Sequence, residues 1–242
     1  MKQQQYFKSS QLNDLLLHSQ LIIFDMNGLI IDDEAVQVQA THHVLSQYGI
    51  SISEDYWLHN IVGRKAAEFL VEILEEHGVP PRRYSLAEVI FQKNEKYQEL
   101  MKTKTKELVR DGFISLLSYL SDQKKVNKQY VLAVGTSATR TEVDIILGKS
   151  GLNVLNQFEY ILTGEDVKHS KPNPEIYLTL SQRAGIVTEN CMVFEDTALG
   201  VQAAYNAGIK CIAVPNRFTV HQDLSNAVFV IDNLTRNATI IR

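Results

Sequence analysis

Residues 21–34 read LIIFDMNGLIIDDE, and this stretch determines how the rest of the chain is interpreted. Four apolar residues lead directly into Asp25, without the polar alternation of a strand that has one face in water. A continuous apolar run is typical of a strand buried on both faces, as in a parallel sheet. Asn27 and Gly28 follow, so the strand ends in a polar turn. We therefore predict a central parallel strand with a polar site at its carboxyl end.

Further apolar runs follow along the chain and are separated by segments of helical periodicity. The runs are 130–134, 158–162, 191–194, 210–214 and 228–231, and the helical segments between them are 111–123, 139–149, 174–185 and 197–207. Such an alternation of strand and helix predicts an α/β fold with a doubly wound, Rossmann-like parallel sheet.

The stretch from 33 to 103 interrupts this alternation. It contains helical patterns at 34–48, 65–77 and 86–104, divided by glycines and a Pro-Pro pair, and it has no convincing strand. We predict a helical cap domain over 33–103, inserted into an α/β core domain formed by 1–32 and 104–242.

The composition restricts the possible partners. The 242 residues are 45% hydrophobic and 21% charged, with a formal net charge of −4, so no basic face for nucleic acid is expected. No apolar run approaches the roughly 20 residues of a membrane span. Both cysteines, Cys191 and Cys211, lie in apolar runs, as buried thiols of a reducing compartment do. We expect a cytoplasmic monomer that acts on a small molecule.

Polar residues follow the predicted strands at the points where those strands end. They are Asp25 and Asn27, Thr136 and Ser137, Lys171, and the pair Glu195 and Asp196. The carboxyl ends of parallel strands meet at one edge of a sheet, where ligands bind. Carboxylates suit Mg²⁺, and a Lys with hydroxyl groups suits phosphate oxygens. The sequence thus predicts a site for Mg²⁺ and a phosphate group.

Each of these residues also has a simpler interpretation when it is taken alone. Asp25 fits a helix N-cap or a turn, and Thr136 and Ser137 fit caps of the helix that begins near Thr139. Lys171 fits a surface position before a proline turn, and the acidic pair fits a helical first turn. Their joint occurrence at strand ends favours the phosphate site.

These residues resemble the four motifs of the haloacid dehalogenase (HAD) superfamily, in particular its β-phosphoglucomutase-like and sugar-phosphate phosphatase branch. The matching segments are IIFDMNGLIIDDE, LAVGTSATR, HSKPNPEIY and VFEDTALGVQAAYNAG, in that order. The resemblance implies that Asp25 is the nucleophile and that Thr136, Ser137 and Lys171 bind phosphate. It also implies a Mg²⁺ cofactor, held by Asp25, the main chain of Asn27, Glu195 and Asp196.

The inserted helices resemble the family's cap, which closes over the site and selects the leaving group. Within it, Gly63-Arg64 is similar to the segment that contacts substrate in this branch. Arg64 is therefore a predicted substrate-binding residue. Glu34 is similar to the acidic residue that follows the first motif in many phosphatases of the family.

Two positions depart from the family pattern. The acid/base Asp two residues after the nucleophile is Asn27 here, and an amide neither protonates a leaving group nor activates water. The loss of such catalysis costs roughly 10²–10⁴-fold in rate. A trapping substitution, a naturally weak enzyme and a natural pseudoenzyme would all show this residue. Gln37 stands where the mutase has a His, which favours a hydrolase.

The predicted function is hydrolysis of a phosphoric monoester, a sugar or polyol phosphate, through an aspartyl-phosphate on Asp25, slowed by Asn27. One alternative is a catalytically inactive protein that binds phosphate. Others are a β-phosphoglucomutase-type phosphotransferase and a dehalogenase, although the paired carboxylates Glu195 and Asp196 serve no purpose in halide displacement.

Overall fold

The structure, a computed structural model, describes residues 5–127 and 130–242. In this part of the chain six parallel strands form one sheet, in the order β3-β2-β1-β4-β5-β6. The strands are β1 Leu21–Phe24, β2 Val131–Gly135, β3 Tyr160–Leu162, β4 Cys191–Glu195, β5 Lys210–Ala213 and β6 Phe229–Val230. The predicted doubly wound parallel sheet is confirmed, and the crossover between β3 and β4 creates a switch point beside β1.

The helices alternate with the strands in the second half of the chain. The bounds are α1 Ser10–Leu17, α2 Glu34–Leu45, α3 Glu54–Asn60, α4 Ala66–Glu76, α5 Leu86–Lys104, α6 Phe113–Asn127, α7 Arg140–Leu147, α8 Glu175–Ala184 and α9 Ala198–Asn206. No helix in the described residues is both long and apolar enough to cross a bilayer.

The sheet is covered on both faces, which explains its continuous apolar strands. Ile22 and Phe24 belong to one buried cluster, whereas Leu21 and Ile23 belong to another on the opposite face. Side chains of a strand alternate between the two faces, so every residue of β1 must be apolar. The continuous apolar sequence of β1 therefore reflects the burial of both faces of the sheet.

The helices α2 to α5 lie between β1 and β2 along the chain, and their apolar side chains, among them Trp57 and Phe69, form most of a third hydrophobic cluster that also includes Phe218. One segment before α2 and one after α5 join these helices to the sheet. These two linkers are hydrogen-bonded to each other: the Asp32 amide donates to the Leu108 carbonyl oxygen, and the Arg110 amide donates to the Ile30 carbonyl oxygen. The division into a core of 1–32 and 104–242 and a cap of 33–103 stays a prediction.

Candidate active site

Asp25 extends β1 by one residue, and its amide donates to the Phe194 carbonyl oxygen at 3.0 Å. The chain then turns at Gly28, which has a φ of +82°. A Cβ at this glycine would lie 2.1 Å from Asp196 Oδ2. Only glycine allows the turn after β1 to approach the end of β4 so closely.

The Lys171 side chain bridges carboxylates at the carboxyl ends of β1 and β4, which are neighbours in the sheet. Its Nζ donates to Asp25 Oδ1 at 2.6 Å, to Glu195 Oε1 at 2.6 Å and to the Gly135 carbonyl oxygen at 3.1 Å. All three protons of the ammonium group are thereby used, and the side chain is buried. The charge is thus held at a fixed point between two carboxylates.

Three buried carboxylates, those of Asp25, Glu195 and Asp196, form one cluster, with ligand oxygens that lie within 4.8 Å of one another. Glu195 already accepts the Tyr177 hydroxyl at 2.7 Å in addition to Lys171, and its other oxygen accepts backbone amides. Asp196 Oδ2 accepts the Asn216 amide at 3.0 Å. Its Oδ1 is buried without a hydrogen-bond partner among the described residues.

Burial and mutual repulsion control the charges in this cluster. Burial raises the pKa of Asp25 to about 7, with Lys171 opposing the rise and Glu195 adding to it. Burial also raises the pKa of Asp196 well above its usual value, and the neighbouring carboxylates add to this. Burial alone would lower the pKa of Lys171, but the charges of Asp25 and Glu195 raise it above its usual value. Burial alone would raise the pKa of Glu195, but Lys171 lowers it. Lys171 thus compensates Asp25 and Glu195, whereas Arg110 is the cation that lowers the pKa of Asp196.

The donor set fits a divalent cation. Mg²⁺ prefers oxygen ligands and takes one or two carboxylates with water and phosphate oxygens. Asp196 Oδ1 is an unsatisfied buried oxygen beside Asp25, and a cation there would remove the repulsion that burial leaves. Glu195 has both oxygens occupied by donors, so its geometry favours a role in orienting Lys171 and Asp196.

Thr136 and Ser137 follow β2 and line a small cleft that also contains Lys65 and Lys171. The Thr136 hydroxyl accepts the Ala138 amide and donates to Asn27 Oδ1 at 3.3 Å. Neither residue is the N-cap of α7. That position is held by Thr139, which forms a capping box with Glu142, so the simpler cap interpretation of Thr136 and Ser137 is wrong.

Among the described residues, the Asn27 carboxamide is connected to this cleft only through Thr136, which lines it. Its Oδ1 accepts the Thr136 hydroxyl, whereas its Nδ2 donates to Asp33 Oδ2 at 2.7 Å and lies 3.3 Å from the Tyr97 hydroxyl. The Nδ2 protons point toward these acceptors and away from Thr136. An amide has no acidic proton to transfer, and the loss of acid/base chemistry at Asn27 stays a prediction.

Arg64 is not brought to this cluster. Its guanidinium forms a bidentate ion pair with Glu72, at 2.6 Å and 2.8 Å, on the exposed side of the cap helices. The next residue, Lys65, lines the cleft instead, and Gly63 packs near Thr197 of the core. Lys65 is therefore the residue of this segment that lines the cleft, and substrate binding by Arg64 stays a prediction.

Several residues of the site were not identified from the sequence: Tyr177, Asn216, Asp33 and Tyr97. Each acts through a partner far away in the chain, as Tyr177 does on Glu195. Glu34, which the motif did mark, accepts the Trp57 indole N–H at 2.6 Å, and burial raises its pKa to about 7. The positions of these residues along the sequence do not indicate that their side chains are in contact.

The family model of the haloacid dehalogenase-like hydrolases matches residues 22–214. A phosphorylated carbohydrates phosphatase of Thermotoga maritima is 31% identical over 193 residues, which cover 79% of this chain and 82% of the relative. Fructose-1-phosphate phosphatase YqaB of Escherichia coli is 29% identical over 199 residues, which cover 80% and 95%.

The solved structure of CbbY from Rhodobacter sphaeroides in complex with phosphate has a TM-score of 0.77 at 22% identity, with coverage of 89% of this chain and 95% of that one. It shows the likeness of the fold. The family model covers most of the chain, and its match includes every residue of the carboxylate cluster and Lys171. The chain belongs to the family of haloacid dehalogenase-like hydrolases.

Proposed function

We propose that this hydrolase is a Mg²⁺-dependent phosphatase of a small phosphorylated metabolite, a sugar or polyol phosphate, with Asp25 as the nucleophile. The observation that carries the proposal is the contact of Lys171 with Asp25 and Glu195 at 2.6 Å each, beside the unsatisfied Asp196. A carboxylate can attack an anionic phosphate only where fixed positive charge offsets the repulsion between them.

The cation would be held by Asp25, Asp196 and the main-chain carbonyl of Asn27, with Glu195 supporting them. Bound there, Mg²⁺ would neutralise charge on the phosphate and on the nucleophile. Lys171 adds a cation that stays in place, because three acceptors fix its ammonium group. The Ser137 side chain, which lines the cleft, would supply a hydroxyl donor to the phosphate, and Thr136 would do so by turning its proton away from Asn27 Oδ1.

The covalent step forms a bond between an Asp25 carboxylate oxygen and phosphorus while the ester oxygen leaves with its electron pair. Water then attacks the aspartyl-phosphate and releases inorganic phosphate. Asn27 supplies no proton to the leaving oxygen and removes none from water. Both steps then depend on solvent for proton transfer, so slow turnover is expected.

The substrate class is supported by the relatives, two of which carry names of phosphatases acting on phosphorylated carbohydrates or fructose 1-phosphate. The cap helices give physical support, since Gly63 and Lys65 lie beside core residues of the site. A cytoplasmic location and a monomeric state stay predictions.

A second candidate is a protein that binds phosphate without turnover. The Asn27 carboxamide favours it, because its amide protons are directed to Asp33 and not to the cleft. Release of phosphate over hours with enzyme in excess over substrate separates the two candidates. A mutase-type phosphotransferase would instead convert a bisphosphate or move the phosphoryl group between sugar hydroxyls.

A phosphatase panel tests the proposal directly. p-Nitrophenyl phosphate and sugar phosphates are incubated with the protein and with Asn27→Asp, in Mg²⁺ and in EDTA. We expect slow Mg²⁺-dependent phosphate release that rises in Asn27→Asp by up to roughly 10²–10⁴-fold, because a carboxyl regains acid/base catalysis. EDTA-resistant turnover of a halogenated acid would support a dehalogenase instead, and no release by either protein would refute the proposal.

A further inference from the structure

The Asn27 side chain is one end of a buried polar network that the proposed reaction does not use. Asp33, at the start of α2, is fully buried, and its Oδ2 accepts three donors. These are Asn27 Nδ2 at 2.7 Å, the Tyr97 hydroxyl at 2.5 Å and Gln37 Nε2 at 3.3 Å. The carboxylate thus joins the turn after β1 to two helices of the cap.

The network continues to a buried lysine on α5. Lys93 Nζ donates to Gln37 Oε1 at 2.6 Å, so the Gln37 amide is oriented with its Nε2 toward Asp33. The assignment of donors is then consistent throughout: each N–H or O–H meets an oxygen. In such a satisfied network the buried groups hold one another in a single arrangement.

We propose that Asp33 is a positioning residue for Asn27, and that positions 27 and 33 function as one carboxamide–carboxylate pair. Asp33 holds Nδ2 and thereby turns Oδ1 toward the Thr136 hydroxyl at the cleft. Specific hydrogen bonds at both ends of the carboxamide then hold Asn27 in this site, and its role goes beyond the absence of an acid. The inference deepens the proposed phosphatase function and rests on it for its catalytic consequence.

The pair makes the effect of Asn27→Asp depend on residue 33. With Asp33 present, a carboxylate at 27 would place an oxygen about 2.7 Å from Asp33 Oδ2 where an amide donor now lies. The two oxygens would repel or hold one proton between them, which withholds residue 27 from the substrate. With Asn at 33, its amide group can turn toward residue 27 and restore a donor opposite an acceptor, with the Tyr97 hydroxyl then accepting and the 3.3 Å hydrogen bond from Gln37 lost.

Asp33→Asn alone is expected to change the thermal unfolding midpoint only slightly. Asp33 Oδ2 receives all three hydrogen bonds, and Oδ1 is buried without a partner in the described part of the chain. The asparagine carbonyl oxygen can take the place of Oδ2, and its amide nitrogen that of Oδ1. The variant therefore changes the charge with little change in packing.

The test compares the wild-type protein, Asn27→Asp, Asp33→Asn and the double variant. Two quantities are measured: the thermal unfolding midpoint, and kcat and KM for p-nitrophenyl phosphate in Mg²⁺. The matched control combines Asn27→Asp with Asp32→Asn, which removes the same charge one residue away. Asp32 is partly exposed, and its amide donates to the Leu108 carbonyl oxygen of the other linker.

We expect Asn27→Asp to lower the midpoint when Asp33 is present and to have a much smaller effect when Asn is at 33. The double variant should exceed Asn27→Asp in kcat by about tenfold, with little change in KM, because acid/base catalysis acts on the chemical step. The Asp32→Asn control should give no such gain.

If the midpoint changes of Asn27→Asp and Asp33→Asn add up to that of the double variant, the two residues do not interact and the proposal is overturned. A kcat for Asn27→Asp that equals that of the double variant would also overturn it. If the midpoints are coupled and no variant releases phosphate, the pair stands as a positioning unit and the proposed phosphatase function fails.

Discussion

Asp25→Asn is expected to release no phosphate above the buffer blank under conditions in which the wild-type protein and Asn27→Asp do. The replacement keeps the shape of the side chain and leaves an oxygen for the Lys171 ammonium at the 2.6 Å contact. It removes the charge that attacks phosphorus. Loss of a covalent nucleophile costs roughly 10⁴–10⁶-fold in comparable enzymes, which places the variant at background.

The measurement is steady-state and single-turnover phosphate release for Asp25→Asn in the Asn27→Asp background, where the signal is expected to exceed that of the wild-type protein. Unchanged far-UV circular dichroism and an unchanged unfolding midpoint would exclude a folding defect. Residual release within tenfold of the parent would show that a different group attacks phosphate and would contradict the assigned role of Asp25.

Lys171→Met is expected to destabilise the protein strongly as well as to inactivate it. The side chain is buried between Asp25 and Glu195, and Asp196 lies in the same cluster. Removal of one partner from a buried ion pair costs about 3–5 kcal/mol, because charges stay buried without compensation. Urea unfolding without metal should show a loss of this size.

Mg²⁺ should restore part of the lost stability in Lys171→Met and should have a smaller effect on the wild-type protein, because the variant leaves more uncompensated negative charge for a cation to neutralise. Lys168→Met is the matched control, since Lys168 is exposed and three residues away. Equal unfolding free energies for the variants at 168 and 171 would contradict the buried charge bridge.

The fold could be predicted because its strands are buried on both faces. Every residue of β1 contacts one of two apolar clusters, so the run 21–24 has no polar interruption. The same reason applies to β4. Helices α1 and α3 are not predicted from the sequence because both are short, with eight and seven residues.

Most of the candidate site was predicted from residues that directly follow a strand, and Lys171, in the loop after β3, from its motif. Asp25, Thr136 and Asp196 each follow a strand directly, so the sheet brings them together. Asp33 and Tyr97 are 64 positions apart and meet only through the packing of α2 on α5. Arg64 was predicted from its motif, but the structure places it elsewhere. An acidic side chain on α4, that of Glu72, determines where its guanidinium lies.

Identification of the phosphorylated residue tests the central claim most directly. The protein is mixed with a phosphorylated substrate and Mg²⁺, quenched in acid, digested and analysed by mass spectrometry. We predict one phosphoryl group on the peptide that carries Asp25, absent in EDTA and in Asp25→Asn, and accumulating in wild type because Asn27 slows its hydrolysis. A phosphoryl group on another residue, or phosphate release without any labelled peptide, would contradict attack by Asp25.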